Sequence, residues 1–80
     1  MNITIKYFGR ITDITKCEEE MISINQGTIL SNAELILKKK YPLIEKELYT
    51  LFINNKRAIN TDQFLNNNDE ICIMPPFSGG

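Results

Sequence analysis

The stretch that decides the fold is EICIMPPFSGG, residues 70–80, in which a short strand runs directly into an arm of proline and glycine. Isoleucines alternate with a cysteine and a methionine over residues 70–74, the period-two pattern of a half-buried strand. Pro75 and Pro76 then remove two hydrogen-bond donors and favour extended backbone. We therefore predict that sheet pairing stops there and that a tail, residues 75–80, projects from the body.

The tail ends in a carboxylate that other proteins could modify. We expect the carboxylate of Gly80 to be free at the tip of an uncharged arm that reaches roughly 13 Å beyond Pro76, at about 3.3 Å per residue. Gly79 and Gly80 lack Cβ atoms, so they fit a narrow channel. An α-carboxylate with a pKa of about 3.5 is a poor electrophile, and it needs activation, such as a mixed anhydride with AMP, before a sulfur donor or an amine can attack it. A terminal Gly-Gly alone is more typical of a frayed end, but the preceding double proline and the order of helix and strands favour a functional tail.

Alternating and helical patterns fill the rest of the chain. A helix is predicted from Ile29 to Pro42, because apolar residues follow three- and four-residue steps and three lysines occupy its last turn. Its cap is either the Ser31 capping box or Thr28. Its predicted apolar face consists of Ala33, Ile36, Leu37 and Tyr41.

The remaining segments predict strands joined by turns. Strands are expected at residues 2–8, 20–24, 48–53, 56–59 and 70–74, with loops at residues 9–19 and 61–68 and a tight turn at Asn54-Asn55. The order β-β-α-β-β-β predicts an α+β roll in which one main helix lies across a mixed sheet.

Composition excludes several classes of protein. The chain has 80 residues, which predicts a single domain over residues 1–80, and its net charge of −1 is too balanced for binding nucleic acid. Histidine is absent, and Cys17 and Cys72 have no metal-ligand spacing, so no metal site is predicted. The amino-terminal residues lack the apolar stretch of a secretory signal, and no segment is long enough for a membrane span. We expect a cytoplasmic protein with reduced thiols.

The sequence resembles the small subunit of molybdopterin synthase, the MoaD-type sulfur carrier, which is related to the thiamine-pathway sulfur carrier and to ubiquitin. The resemblance covers nearly the whole chain, and PPFSGG at its end is the most specific part. The other matching stretches are IKYFGRITDIT, EEMISI, KKKYP, FINNK and NDEICIMPP. It implies a β-grasp fold with roughly four to five strands around one main helix.

The same resemblance implies a function. An ATP-dependent adenylyltransferase of the ubiquitin-activating type would adenylate Gly80, and a sulfur donor enzyme would convert it to a thiocarboxylate. Gly79 and Gly80 would enter the active site of the synthase large subunit, where the sulfur passes to cyclic pyranopterin monophosphate in molybdenum cofactor biosynthesis. The carrier would bind no cofactor and no membrane, and catalysis would belong to its partners. The alternatives are a carrier for thiamine thiazole synthesis, a ubiquitin-like protein modifier, or a plain binding module.

Roles follow for individual side chains. Pro75 and Pro76 would aim the tail, with Ser78 inside it, and Phe77 would anchor its base to a partner. Phe8 and Met74 are expected on the sheet face opposite the helix, where an apolar cluster favours a partner surface over ordinary core packing. Two positions depart from the resembled pattern. Phe77 stands where a smaller aliphatic residue is common, and Asn67-Asn68-Asp69 replaces Asp-Gly-Asp, although Asn tolerates the left-handed conformation expected there.

Overall fold

The computed structural model describes residues 1–76. The elements in chain order are β1 (Asn2–Tyr7), α1 (Arg10–Thr15), β2 (Glu19–Ser23), α2 (Leu30–Lys40), a 3₁₀ helix (Pro42–Lys46), β3 (Thr50–Ile53), β4 (Lys56–Arg57) and β5 (Glu70–Met74). Within this part of the chain, no helix has the length and apolar character needed to cross a bilayer.

The five strands form one mixed sheet in the order β2-β1-β5-β3-β4. The two central strands, β1 and β5, are parallel, and the other neighbouring pairs are antiparallel. In the central pair Tyr7 lies opposite Ile73, near the end of both strands. The carboxyl end of β5 therefore emerges beside the carboxyl end of β1.

The hydrophobic core lies between one face of this sheet and α2. Leu30, Ala33 and Leu37 are buried on the helix, and they belong to the same apolar cluster as Ile5 and Ile71 on the central strands. Complete burial of a leucine or isoleucine side chain stabilises the fold by about 1.5–3 kcal/mol. The predicted α+β roll is confirmed.

The start of α2 differs from the prediction, because no side chain caps it. Neither Ser31 nor Thr28 serves as the predicted cap. The first helical N–H groups bind carbonyl groups of a distant loop instead: Leu30 donates to Gln63 at 3.0 Å and Ser31 donates to Thr61 at 2.9 Å. These contacts satisfy donors that a local cap would otherwise serve.

The buried face of α2 is also shifted from the predicted one. Ile36, which the spacing placed in the core, is 42% exposed, and Leu30 is buried instead. At about 100° per residue, positions 30, 33 and 37 fall within about 60° of one another around the helix, whereas position 36 lies about 100° from position 37 and so outside the face that the sheet covers.

The prediction of a loop between the first two strands is wrong, because this connection contains the helix α1. Ile11 and Thr15, four residues apart, are buried on this helix. The chain enters it through Gly9, at φ 60°, and leaves it through Lys16, at φ 63°. The predicted turns are confirmed elsewhere, since Asn54, Asn55 and Asn68 all have positive φ.

Candidate functional site: the base of the tail

The last hydrogen bond between the central strands lies just before the two prolines. The Phe8 N–H donates to the Ile73 carbonyl at 3.1 Å, and Met74 lies opposite Thr50 of β3. Pro75 has no N–H to extend the ladder. The strand ends at Met74 as predicted, and Pro75 and Pro76 begin the tail at the edge of the folded body.

A glycine contact holds the first residue of the tail. Gly9 has φ 60° and ψ −136°, a conformation that residues with a side chain avoid. A Cβ atom added to Gly9 would lie 2.7 Å from Cγ of Pro75, inside the distance at which two carbon atoms repel. The α1 entrance therefore packs against the ring of Pro75 because residue 9 has no side chain.

A groove of about 390 Å³ lies next to this contact. We call it the tail groove. Leu48, on its rim, is 83% exposed. Arg10 and Glu47 form an ion pair of 3.1 Å across it, with the arginine side chain mostly in solvent. Its lining residues are Arg10, Ile11, Lys46, Glu47, Leu48, Pro75 and Pro76. An exposed pair of this kind contributes less than about 1 kcal/mol, so these side chains remain available to a partner.

The sheet has an open face opposite α2, which we define by the strand residues whose side chains point away from the core. At its centre Cys72 lies between Lys6 and Phe52 in the strand register. Phe8 and Met74 occupy the end of this face nearest the tail, as predicted. Phe8 is 40% exposed and Met74 is partly buried. The structure thus brings two predicted partner residues together beside the tail base.

Charged groups on the open face are paired with each other. Lys6 lies 3.2 Å from Glu70, and the hydrogen bond to that carboxylate raises the pKa of the lysine. Burial, followed by the charge of Glu70, raises the pKa of the Cys72 thiol, which keeps this thiol protonated and unreactive. Within residues 1–76, no group of three or more acidic, cysteine or histidine side chains is placed to hold a metal ion.

On the helix side, a carboxylate links three elements of the body. Glu20 of β2 accepts hydrogen bonds from the hydroxyl groups of Tyr7 at 2.5 Å and Tyr41 at 2.6 Å, and it pairs with Lys40. Burial opposes ionisation of Glu20, but these three donors together lower its pKa. Burial and the bond to Glu20 raise the pKa of both tyrosines. The network links the end of α2 to β1 and β2, and β1 is the strand that pairs with β5 at the tail base.

The predicted site residues fall into two groups. Pro75, Pro76, Phe8 and Met74 lie together at one end of the body, as described above. The roles assigned to residues 77–80, which include Phe77, Ser78, Gly79 and Gly80, lie outside the described residues.

Sequence reasoning missed three further residues at this site. Gly9, Arg10 and Leu48 lie at the tail base. The helical spacing of Ile11 and Thr15 after a glycine was the available signal for α1, and with it for the placement of Gly9 and Arg10.

The sheet order, the parallel central pair and the single crossing helix define the β-grasp, ubiquitin-like fold. Residues 5–80 match the ThiS family, and the chain belongs to that family. The predicted resemblance to MoaD-type sulfur carriers is confirmed, together with the fold that it implies.

Solved structures of this fold come from several proteins. A Pyrococcus furiosus protein described as molybdopterin converting factor, subunit 1, is similar with a TM-score of 0.89 and 20% identity, over 95% of this chain and 98% of that one. A chain in the complex of subunits 1 and 2 of the Helicobacter pylori molybdopterin-converting factor is 28% identical, with a TM-score of 0.74, over the whole of both chains. Small archaeal modifier protein 1 from Methanosarcina acetivorans is 23% identical, with a TM-score of 0.79, over 99% of this chain and 96% of that one.

Proposed function

We propose that the protein is the sulfur carrier subunit of a molybdopterin synthase. The observation that carries this proposal is the tail base: the chain passes from the central strand β5 into Pro75 and Pro76, and Pro75 packs against Gly9. A folded body that holds the first residue of the tail in place suits a protein whose end enters the active site of another.

The chemistry proceeds in two steps at Gly80. The carboxylate attacks the α-phosphate of ATP, so that pyrophosphate leaves and an acyl adenylate forms. A sulfide-equivalent donor then attacks the carbonyl carbon, AMP leaves, and the product is a thiocarboxylate. The donated sulfur passes to cyclic pyranopterin monophosphate. ATP binds to the activating adenylyltransferase, and the carrier supplies only the reacting end.

The large subunit is the partner that receives the tail. Support comes from the Helicobacter pylori protein, which was solved as a complex of two subunits and is 28% identical to this chain. On this chain Phe8 and Met74 lie beside the tail base, where their apolar surface fits a docking role. Phe77 would add an aromatic anchor. We place the reaction in the cytoplasm, where thiols stay reduced.

Intact mass measures the central step directly. The purified chain is incubated with ATP, an adenylyltransferase and a sulfur donor, and we expect its mass to rise by the difference between one sulfur and one oxygen atom. The matched control carries one extra residue after Gly80, which leaves residues 1–76 intact but blocks the carboxylate. An unchanged mass for the natural chain, with an adenylyltransferase that is active on another carrier, would refute the proposal.

A second candidate is a ubiquitin-like protein modifier, which the similarity to small archaeal modifier protein 1 favours. In that case the adenylate of Gly80 is attacked by a lysine amine, and the product is an amide on a target protein. Lysine-linked conjugates in lysate, lost when Gly80 is extended, would support the modifier.

The family match also fits a third candidate, a carrier for thiamine thiazole synthesis. Complementation of deficient cells distinguishes a molybdopterin carrier from a thiazole carrier. A molybdopterin carrier restores molybdenum-enzyme activity to a deficient cell, whereas a thiazole carrier restores growth without thiamine.

A further inference from the structure

The two edges of the sheet differ in their protection against pairing. Among residues 1–76, β4 ends the sheet at one side with two residues, Lys56 and Arg57, both exposed. Short, basic edge strands of this kind resist pairing with other chains. β2 ends the sheet at the other side with five residues, and none of them is proline or lysine. Its central residue, Met21, is 70% exposed. The second edge therefore carries no proline or lysine, and its two charged side chains, Glu19 and Glu20, each have a cationic neighbour in the same chain.

The register shows which main-chain groups of β2 point outward. Met1 and Ile24 exchange two hydrogen bonds, and Tyr7 donates to the Glu18 carbonyl at 2.9 Å. In an antiparallel ladder such bonded pairs occur at every second residue, so residues 18, 20, 22 and 24 point toward β1. Glu19, Met21 and Ser23 direct their N–H and C=O groups away from the sheet, and none of these groups has a partner within residues 1–76.

We propose that this edge pairs with β2 of a second copy of the chain, antiparallel and with a two-fold axis at Met21. In this register Met21 lies opposite its own copy, and Glu19 lies opposite Ser23. All three outward residues of each strand then form bonded pairs, which creates six main-chain hydrogen bonds. The two exposed methionine side chains meet across the axis on the open face.

Charge does not oppose this pairing. Glu19 lies opposite Lys6 within its own sheet, and Glu20 is paired with Lys40. Across the proposed interface Glu20 lies opposite Ile22, so no carboxylate faces another. The net charge of −1 per chain adds little repulsion between copies. A basic peptide as the occupant is less favoured, because these acidic side chains already have cationic neighbours.

The symmetry also closes the assembly. Once β2 is paired, the remaining edges are the two β4 strands, which are short and basic, so a ten-stranded sheet of two copies is the end point. The tail leaves from β5, two strand positions from β2, or about 10 Å. The tails of both copies therefore stay accessible, and the dimer is independent of the proposed function.

The full chain tests the proposal directly. A five-residue pairing belongs to the small, transient class of interface, and we expect a dissociation constant on the order of 0.1–1 mM. Sedimentation equilibrium from about 20 µM to 2 mM should show the average mass rising toward that of a dimer. Over the same range the amide signals of Glu19, Met21 and Ser23 should shift and gain exchange protection. The amides of Glu20 and Ile22, which already bind β1, should change less.

Two variants at the axis separate the interface from the fold. Met21→Pro removes an outward donor without removing a bond to β1, and Met21→Lys places two ammonium groups opposite each other. Both should raise the dissociation constant by about tenfold or more, so that the average mass at 2 mM falls well below that of the natural chain. Ile59→Lys is the matched control, because residue 59 is 93% exposed and follows the opposite edge strand. It should dimerise like the natural chain.

Three results would overturn the proposal. The natural chain could stay monomeric at 2 mM, Met21→Lys could dimerise as well as Ile59→Lys, or the concentration-dependent amide shifts could lie on the open face and leave β2 unchanged. If Met21→Pro fails to fold, the lysine variant still decides the question, since its side chain is in solvent in the monomer.

Discussion

The substitution Gly9→Ala tests whether the body fixes the base of the tail. The added Cβ meets Cγ of Pro75 at 2.7 Å, whereas ordinary contacts begin at 3.4 Å, so the two groups must separate by 3.4 − 2.7 = 0.7 Å or more. The positive φ of residue 9 adds backbone strain of about 1–3 kcal/mol in the variant. We expect a loss of unfolding free energy of about 2–4 kcal/mol, part of it relieved by displacement of Pro75.

Gly27→Ala is the matched control for this experiment. Gly27 also has a positive φ, of 86°, but a Cβ atom there would meet nothing within 4 Å. Both variants therefore carry backbone strain, and only Gly9→Ala disturbs the tail base. Urea unfolding with linear extrapolation should give the larger loss for Gly9→Ala.

The rate of sulfuration at Gly80 gives a second readout for the same pair. We expect Gly9→Ala to slow it at a temperature where both variants are folded, and Gly27→Ala to leave it unchanged. Adding Pro75→Ala to Gly9→Ala removes the clashing atom and should recover part of the lost stability. Equal losses in the two glycine variants, with no recovery on removing the proline ring, would refute the steric argument.

Three further predictions concern the body and its open face. Glu20→Gln should lower the unfolding free energy by about 1–3 kcal/mol at neutral pH, because charge-assisted hydrogen bonds from two tyrosines and a lysine are lost. Since the pKa of Glu20 is lowered in the folded state, its contribution to the unfolding free energy is complete above the ordinary pKa of 4.5 and disappears as the pH falls through the folded pKa. The unfolding free energies of the two proteins from urea curves should therefore converge in acid. A difference that stays constant with pH would contradict this. Asp69→Ala should lower the unfolding free energy, measured with urea, by about 1–3 kcal/mol. The carboxylate of Asp69 is 8% exposed and accepts hydrogen bonds from the Asn54 side chain at 2.9 Å and from a main-chain N–H at 2.7 Å. A loss near zero would contradict this, since it would mean that water replaces the carboxylate as the acceptor. Phe8→Asp together with Met74→Asp should weaken binding of the purified large subunit by tenfold or more in calorimetry, on the order of 1.4 kcal/mol, while the circular dichroism spectrum stays unchanged; unchanged affinity would place the docking surface elsewhere.

The positions of the strands were predictable because their patterns are local, although β3 begins at Thr50 and not at residue 48, and β4 ends at Arg57 and not at residue 59. In β5 the alternation of residues 70–74 matches the buried and open sides of the sheet, and the two prolines end it where the structure does. Asn54, Asn55 and Asn68 were expected in turns because Asn tolerates positive φ, and all three adopt it. Local preference and tertiary structure agree at these positions.

The start of α2 was not predictable from local rules. A capping box was expected at Ser31, but carbonyl groups of Gln63 and Thr61, some thirty residues away, accept the first helical N–H groups. Chain segments that distant in sequence are brought together only by the packing of the whole domain. The same packing buries Leu30 in place of Ile36.

The tail base shows the same division. The sequence by itself determined that an arm begins at Pro75, because proline has no N–H and cannot extend a ladder. Only the tertiary structure decided what lies beside it, since parallel pairing of β1 with β5 brings the chain after Tyr7 to the end of Met74 and sets Gly9 against Pro75. Alternation and proline geometry act within a few residues, whereas contact between residues 9 and 75 depends on the register of two strands far apart in the chain.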